Sequence, residues 1–127
     1  MQSLPNLQRA TIAVEKLRNY ALNARHPTGQ HKAKVFKAML GIDERHAEVL
    51  AEIILSSLSR SPAFQAERDT YGMRWTTYHP VIGLNGQAVV ITVGWILKDE
   101  LEDAPELITC YIECEEQDRL LKLMGLS

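Results

Sequence analysis

The residues best suited to chemistry lie between positions 22 and 37, where His26, His31 and Lys32 fall within seven positions. A Pro-Thr-Gly sequence separates the histidines and ends the preceding structure, because proline disfavours helix before it and glycine adopts conformations that other residues resist. The spacing predicts a new helix from Gly29, capped by Thr28. Backbone N–H groups at a helix start are unpaired and the helix dipole is positive there, so these side chains suit an anionic ligand.

Lys32 stands on the apolar face of that predicted helix. It shares the face with Phe36 and Met39, because residues three and four positions apart stack on one side, while Lys34 and Lys37 point to water. A lysine on such a face either snorkels, with a buried stem and a solvated head, or lies at a cleft. Both interpretations stay open from the pattern, and the two histidines are equally consistent with ordinary loop and helix-start positions.

Length and charge limit the class of protein. The 127 residues predict a single domain, 1–127, with one hydrophobic core. The net charge of −2 excludes a generally basic nucleic-acid binder. The charge is unevenly spread, with eight basic and three acidic residues in 1–45 against six basic and thirteen acidic in 46–127. This polarity suits a polyanion on one side and a basic partner on the other, or is ordinary solvated surface.

The two cysteines indicate neither a disulfide nor a metal site. Cys110 and Cys114 fall on a predicted strand, about 13 Å apart along it, which is too far for a disulfide, so free thiols are expected. They have no histidines at zinc-like spacing, and we predict no metal and no cofactor. No apolar run reaches transmembrane length and no targeting segment opens the chain, so the sequence predicts a cytoplasmic protein with no membrane partner.

Hydrophobic periodicity predicts helices in the first half and strands in the second. The predicted helices are Val14–Asn23, a second from Gly29 to Gly41, a third capped by Asp43 with an apolar stripe from Ala47 to Leu58, and a tail helix, Glu115–Leu123. The predicted strands are Ala63–Asp69, Met73–Val81, Gln87–Lys98 and Leu107–Glu113, besides a short one at Ala10–Ala13. A tight hairpin of the primed type is predicted at Asn85-Gly86, and His46 is interpreted as a surface residue.

Helices followed by strands are typical of the α+β class. We therefore predict N-terminal helices packed on a four-stranded antiparallel sheet, with a short C-terminal helix. Within the single domain, residues 1–62 are mainly helical, 63–114 form the sheet and 115–127 form a helical tail.

Familiar catalytic signatures are missing: the sequence has no phosphate-binding glycine loop, no Gly-x-Ser-x-Gly and no His-Glu-x-x-His. The remaining residue types, His, Lys, Arg, Thr and Tyr, suffice for metal-independent RNA cleavage. In that reaction the 2′-hydroxyl attacks the adjacent phosphate and a base takes its proton. A cation stabilises the added charge, and an acid protonates the leaving oxygen.

A family resemblance runs from about Leu4 to Tyr111. Its motifs are Lys16-Leu17-x-x-Tyr20-x-Leu22-Asn23, His26-Pro27-x-Gly29-x-x-Lys32-Ala33-x-Val35-Phe36, Leu40-Gly41, Thr70-Tyr71-Gly72, Gly83-x-Asn85-Gly86, Trp95-Ile96 and Pro105-x-Leu107-x-Thr109-x-Tyr111. The chain resembles a small bacterial domain-of-unknown-function family (six-eight-eight-three), whose members occur alone and at the C-termini of polymorphic toxins. That family is similar to the barnase–EndoU–colicin–RelE ribonuclease group, whose fold is helices followed by a four-stranded antiparallel sheet.

The resemblance implies a set of catalytic residues. His26 would act as general base or acid, Lys32 would stabilise the pentavalent phosphate, and Tyr111 or Thr109 would hold the other oxygen. His31 is the alternative proton carrier. Further contacts to the substrate are assigned to basic side chains: Arg74, Lys34 and Arg25.

Three functional hypotheses emerge. The first is a ribonuclease toxin of a toxin–antitoxin or polymorphic toxin system, with tRNA or mRNA as substrate and a small cognate antitoxin protein as partner. The second is a non-catalytic interaction module (an antitoxin, an immunity-like protein or a degenerate toxin), which the acidic second half favours. The third, a small-molecule binding domain, rests only on Trp75 and Trp95. The tail after Tyr111 leaves three roles open: covering a site, docking a partner or forming a homodimer.

Overall fold

The computed structural model describes residues 2–99 and 103–126, within which the chain forms four α-helices and four strands. Helix α1, Val14–Lys16, continues as a π-helix over Leu17–Ala21, and is followed by α2, Gln30–Leu40, and α3, Ala47–Ser57. The strands are β1, Ala63–Asp69, β2, Gly72–Ile82, β3, Ala88–Leu97, and β4, Glu106–Tyr111, and the last helix is α4, Gln117–Leu123. Short 3₁₀ turns span Leu7–Arg9, Glu44–His46, Leu58–Arg60 and Cys114–Glu116.

The strands form one antiparallel sheet in the order β1-β2-β3-β4. The β2–β3 register is unbroken from Met73, opposite Leu97, to Ile82, opposite Ala88. The β3–β4 register shifts by one residue at Gly94, which lies opposite Thr109. Helices followed by a four-stranded meander and a short final helix confirm the α+β prediction.

The core lies between the helices and one face of the sheet. Alternate residues of the β-branched strand β3 are buried in it, from Val89 to Leu97, and Trp95 is fully enclosed. Phe36 of α2 is also fully buried, which stabilises the fold by about 1.5–3 kcal/mol. Because Phe36 lies one turn after Lys32, this burial fixes the helix face that carries the lysine.

A polar network crosses this core. His79 is fully buried; its Nδ1 lies 2.7 Å from Ser57 Oγ and 2.9 Å from Ser61 Oγ, and its Nε2 lies 2.7 Å from Thr77 Oγ1. Both serine hydroxyls donate to backbone carbonyls of the preceding turn at 2.8 Å, so their oxygens accept from the Nδ1–H of His79. The indole of Trp95 donates to Thr77 Oγ1 at 2.8 Å, and the threonine hydroxyl donates onward to Nε2. Each polar group of this network is thereby hydrogen-bonded while the imidazole is neutral.

The 3₁₀ turn that leads into α3 has a reciprocal cap. Asp43 Oδ1 accepts from the backbone N–H of Arg45 at 3.0 Å, which confirms the predicted cap. His46 Nδ1 accepts from the backbone N–H of Asp43 at 3.2 Å, which completes a capping box. His46 is therefore more than the surface residue that the sequence indicated, because its ring satisfies an otherwise unpaired N–H.

Two other local predictions were wrong. A primed turn needs positive φ at its first central residue, and type I′ at both, but Asn85 keeps a negative φ while Gly86 adopts 80°. The loop instead closes with Gly86 donating to Gly83 and Gly83 donating to Gln87. Residues 10–13 form no strand; only Thr11 bridges to Glu106, in parallel orientation.

The structure tests the prediction made for the two thiols. Both cysteines are free thiols, as predicted, but only the buried Cys110 lies on a strand, because the exposed Cys114 begins a 3₁₀ turn after β4. Within the described residues, no helix is both long enough and apolar enough to cross a bilayer.

Candidate functional site

Lys32 reaches from the first turn of α2 to the edge strand β4. Its Nζ donates to Thr109 Oγ1 at 3.1 Å and lies 5.2 Å from the ring centroids of both Tyr20 and Tyr111. A cation held near aromatic rings gains about 0.5–1 kcal/mol from each favourable contact. The salt bridges formed within the described part of the chain do not include this ammonium group. The site is therefore organised around a half-buried cation held by neutral groups.

His26 organises the turn that precedes α2. Its Nδ1 accepts from the backbone N–H groups of Thr28 and Gly29 at 3.1 and 3.0 Å. A backbone N–H only donates, so Nδ1 is an acceptor and the neutral ring carries its proton on Nε2. The histidine thus satisfies donors that Thr28 was predicted to cap; the prediction for Thr28 was wrong, since its side chain makes no capping bond to α2.

Tyr20 joins His26 to Lys32. Its ring meets the His26 ring edge-on, with centroids 4.6 Å apart and planes at 71°, and the Lys32 ammonium lies on it as well. The tyrosine belongs to the π-helical turn, which the Leu22 N–H closes by donating to the Leu17 carbonyl at 2.8 Å. Such turns are often found at functional sites. The three side chains form one contiguous unit.

Two glycines make room for this arrangement. A Cβ added at Gly29 would lie 2.3 Å from the Tyr20 carbonyl oxygen, closer than any real contact. Gly94 lies on β3, next to β4, and a Cβ added to it would lie 2.9 Å from the methyl group of Thr109. The close approach of the turn to Tyr20 and the placement of Thr109 therefore both depend on missing side chains.

Two hollows flank the lysine. The Lys32 hollow has a volume of about 380 Å³ and is lined by His31, Lys32, Val35, Tyr111, Ile112 and Glu113. The Tyr20 hollow also measures about 380 Å³; it is lined by Lys16, Leu17, Tyr20 and Ala21 on the helix side and by residues 107–110 of β4. The first holds imidazole, ammonium, phenol and carboxylate groups together, and the second is mostly apolar.

Two groups beside the lysine have shifted pKa values. Burial raises the pKa of Tyr111, and the nearby Glu113 carboxylate and Tyr78 phenol raise it further. Burial raises the pKa of Cys110 to about 12, although the Lys32 ammonium opposes the shift. Tyr111 therefore stays a hydrogen-bond donor at neutral pH, and Cys110 stays a thiol, which makes it a poor nucleophile.

The structure gathers some of the sequence-predicted residues and leaves others apart. Lys32, Thr109, Tyr111 and His31 lie together, and His26 joins them through Tyr20. Arg25 and Lys34 are exposed and line neither hollow. Arg74 lies on β2, two strands from β4, and its Nε is paired with Asp69 Oδ2 at 2.6 Å.

Two members of the site were absent from the predicted set. Tyr20 stood in the motif that carries the family resemblance, so a signal for it existed, whereas nothing in the sequence singled out Glu113. Trp75 and Trp95, the basis of the small-molecule hypothesis, are buried in the core and line neither hollow. Within residues 2–99 and 103–126, no group of three or more His, Cys, Asp and Glu side chains could hold a metal ion.

Fold and site together define an α+β domain with a cationic site at the edge of an antiparallel sheet. The chain belongs to the domain of unknown function family DUF6883, whose sequence profile matches residues 3–114, so the predicted family is confirmed. The fold is similar to that of a chain in a contact-dependent growth inhibition toxin–immunity protein complex from Klebsiella pneumoniae 342. That likeness has a TM-score of 0.55 and 17% identity, and covers 85% of this chain and 97% of the other. No protein of curated function matches the chain.

Proposed function

We propose that this chain is a metal-independent endoribonuclease that acts as the toxin of a toxin–immunity or toxin–antitoxin pair. The observation that carries the proposal is the half-buried Lys32 ammonium, which is held by Thr109 and two tyrosine rings without a carboxylate salt bridge within the described residues. A lysine has three N–H donors and one of them is used by Thr109, so two remain for a phosphate in the Lys32 hollow. In a partly desolvated site these donors stabilise developing negative charge far better than in water.

The other groups of the hollow supply proton transfer. In the proposed reaction Glu113 takes the proton of the 2′-hydroxyl as this oxygen attacks the phosphorus, and His31 gives a proton to the leaving 5′-oxygen. The products are a 2′,3′-cyclic phosphate and a free 5′-hydroxyl. The Tyr111 phenol, which stays protonated, donates to a non-bridging oxygen beside Lys32.

His26 takes a positioning role in this proposal. Its Nδ1 is occupied by two backbone donors, so the ring cannot accept a proton there without breaking both bonds. Its remaining Nε2–H can only donate while the ring is neutral. We therefore assign proton uptake to Glu113, and give His26 the task of holding the turn and Tyr20 against Lys32.

Two further observations support the proposal, the first for membership of a toxin–immunity pair and the second for RNA as the ligand. The fold resembles a chain of a complex between a toxin and its immunity protein. The basic residues concentrate in 1–45, the part of the chain that carries Lys32, which favours attraction of a polyanion to that side. The acidic residues after Glu113, which do not line the Lys32 hollow, would then face away from RNA or contact a basic immunity protein.

The test compares two single-charge variants of α2. Lys32→Ala removes the proposed phosphate ligand, and Lys37→Ala removes an equal charge from an exposed position outside the hollow. We expect induced expression of the wild type and of Lys37→Ala to arrest bacterial growth, and Lys32→Ala to be harmless. Purified Lys32→Ala should cleave RNA about 10²–10³-fold more slowly, the typical cost of removing one charge-stabilising donor.

Controls address the mechanism directly. Cleavage should persist in a chelator, should fail when the 2′-hydroxyl at the cut position is replaced by hydrogen, and should leave a cyclic phosphate. A folded Lys32→Ala protein that cleaves RNA as fast as the wild type would contradict the proposal.

A second candidate is a non-catalytic interaction module, such as an immunity-like protein, an antitoxin or a degenerate toxin. The observation that favours it is the acidic surface at the start of α4, where Glu113, Glu115 and Asp118 are exposed. Harmless expression of the wild type, combined with rescue of cells that express a toxin encoded beside it, would favour this function over the ribonuclease.

A further inference from the structure

We propose that the Tyr20 hollow is a nucleobase-binding subsite, which seats the base of the nucleotide whose phosphate is held by Lys32. The inference rests on the proposed ribonuclease function and adds a specificity site to it. It assigns a ligand class, a planar heteroaromatic base attached to a ribose phosphate, to a cavity of about 380 Å³ that the proposed chemistry leaves unused. That volume lies within the range of about 300–1,000 Å³ of small-molecule sites.

The first argument is adjacency. Thr109 lines the Tyr20 hollow and accepts the hydrogen bond of Lys32 Nζ at 3.1 Å. Tyr20 is another wall of the hollow, and its ring centroid lies 5.2 Å from the same Nζ. The two hollows therefore meet at the lysine. In a nucleotide the base and the phosphate are attached to one ribose, so a base subsite must adjoin the phosphate ligand.

The second argument is the chemistry of the lining. Leu17, Ala21 and Leu107 form a buried apolar floor, and the small side chain of Ala21 leaves the space open. Among residues 2–99 and 103–126, no carboxylate lines this hollow, in contrast to the Lys32 hollow, which contains Glu113. The exposed Lys16 stands at the rim, in a position to attract a second phosphate. A flat, uncharged ring linked to anionic phosphates matches an apolar slot with a cationic border.

The third argument is the edge of β4. In the sheet order β4 is the end strand, and the segment before α1 pairs with it at one point only. There the Leu107 N–H donates to the Thr11 carbonyl at 3.1 Å, and the Thr11 N–H donates to the Pro105 carbonyl at 2.9 Å. Residues 108–110 beyond this bridge border the hollow instead of a fifth strand of the described sheet. Main-chain groups of an end strand are suited to hydrogen-bond the polar edge of a base.

The test measures binding of four nucleoside 3′-monophosphates, ribose 5-phosphate and inorganic phosphate to the whole chain, by titration of backbone amide NMR shifts. We expect at least one nucleotide to bind roughly tenfold more tightly than ribose 5-phosphate, which is the gain expected from stacking one base. Shifts should appear at Ala21 and Thr109. Ile108→Trp, which fills the hollow, should reduce nucleotide affinity to that of ribose 5-phosphate. Ile82→Trp, on an exposed residue of β2, should leave it unchanged.

The outcomes of this experiment test the base subsite separately from the proposed ribonuclease function. Equal affinity of the wild type for every nucleotide and for ribose 5-phosphate overturns the subsite, and leaves phosphate binding by Lys32 standing. Nucleotide binding at the hollow without any RNA cleavage supports the subsite and refutes the ribonuclease. If Ile108→Trp does not fold, the wild-type shifts decide: nucleotide-induced shifts that avoid Ala21 and Thr109 overturn the proposal, as does failure of all nucleotides to bind.

Discussion

Acidification from about pH 7 to about pH 5 should weaken the fold through one buried side chain, His79. Burial lowers the pKa of this histidine from 6.5 to about 4. The network around it also accommodates only the neutral ring, because Nε2 accepts from the Thr77 hydroxyl while Trp95 already donates to that oxygen. A proton on Nε2 would remove the acceptor of the Thr77 hydroxyl hydrogen and leave that hydrogen without its partner in the core.

The size of this loss of stability follows from the difference in proton binding between the folded and unfolded states. The unfolded chain takes up a proton on His79 below about pH 6.5 and the folded chain does so only near pH 4, so the unfolded state binds more protons between these values. The contribution of His79 to the free energy of unfolding is therefore fully present above its unfolded pKa and is lost as the pH falls towards its folded pKa. The loss amounts to about 2 kcal/mol between about pH 7 and about pH 5, and to about 3 kcal/mol when the pH reaches about 4.

Urea unfolding at a series of pH values, read by tryptophan fluorescence, measures this loss directly. The matched variants are His79→Gln, which removes the buried titration, and His31→Gln, which removes an exposed imidazole. His79→Gln should be less stable at about pH 7 but should lose the slope between about pH 5 and pH 7, whereas His31→Gln should keep it. The window lies above the ordinary carboxylate range, so Asp43 and Asp69, whose pKa values are lowered by Arg45 and Arg74, contribute little. A wild type whose unfolding free energy is flat across this window would refute the reasoning.

Three further substitutions test two glycines that support the site and one contact between α4 and the sheet. Gly29→Ala should reduce stability by about 2 kcal/mol in urea unfolding, because its methyl group would collide with the backbone carbonyl of Tyr20; unchanged stability would show that the turn relaxes freely. Gly94→Ala should cost only about 1 kcal/mol but should weaken phosphate binding, measured by NMR titration, because Thr109 must rotate; wild-type phosphate affinity would argue against a positioning role. Gln117→Leu should cost about 2–4 kcal/mol in urea unfolding, since its side-chain amide bonds both main-chain groups of one β3 residue at 2.8 and 3.1 Å; a loss below about 1 kcal/mol would mean that water replaces those bonds.

The sequence predicted the elements well because their patterns are local. Alternation in β2 and the stripe of α3 predicted the strand and the helix to within a residue or two, and Gly41 ends α2 with φ of 68°. The predictions that failed depend on contacts. Thr28 has the right chemistry for a cap, but Nδ1 of His26 accepts from the backbone N–H groups of Thr28 and Gly29 instead. Helix propensities do not rank a side chain two or three positions earlier against the capping residue itself.

The site was predictable only where a motif already placed its residues together. Lys32 and Thr109 are 77 positions apart, and their hydrogen bond depends on the shift in register beside Gly94. Arg74 was chosen for its charge, yet the β1–β2 hairpin pairs it with Asp69 instead. No pattern distinguished His79, because a histidine in a strand acquires its role from Ser57 and the other hydroxyls that surround it in the folded core.

The π-helical turn before α2 makes chain length, rather than side-chain identity, the quantity that sets the orientation of Tyr20. Because Leu22 bonds five positions back, the segment from Val14 holds one residue more than a regular helix of the same height needs. Removal of any one residue there would restore the regular helix and rotate its two flanking segments by about 100° relative to each other. The Tyr20 ring would then lose its contact with the Lys32 ammonium group. Within this family, a one-residue length change in the turn should therefore separate members that retain the cation pocket from members that have lost it.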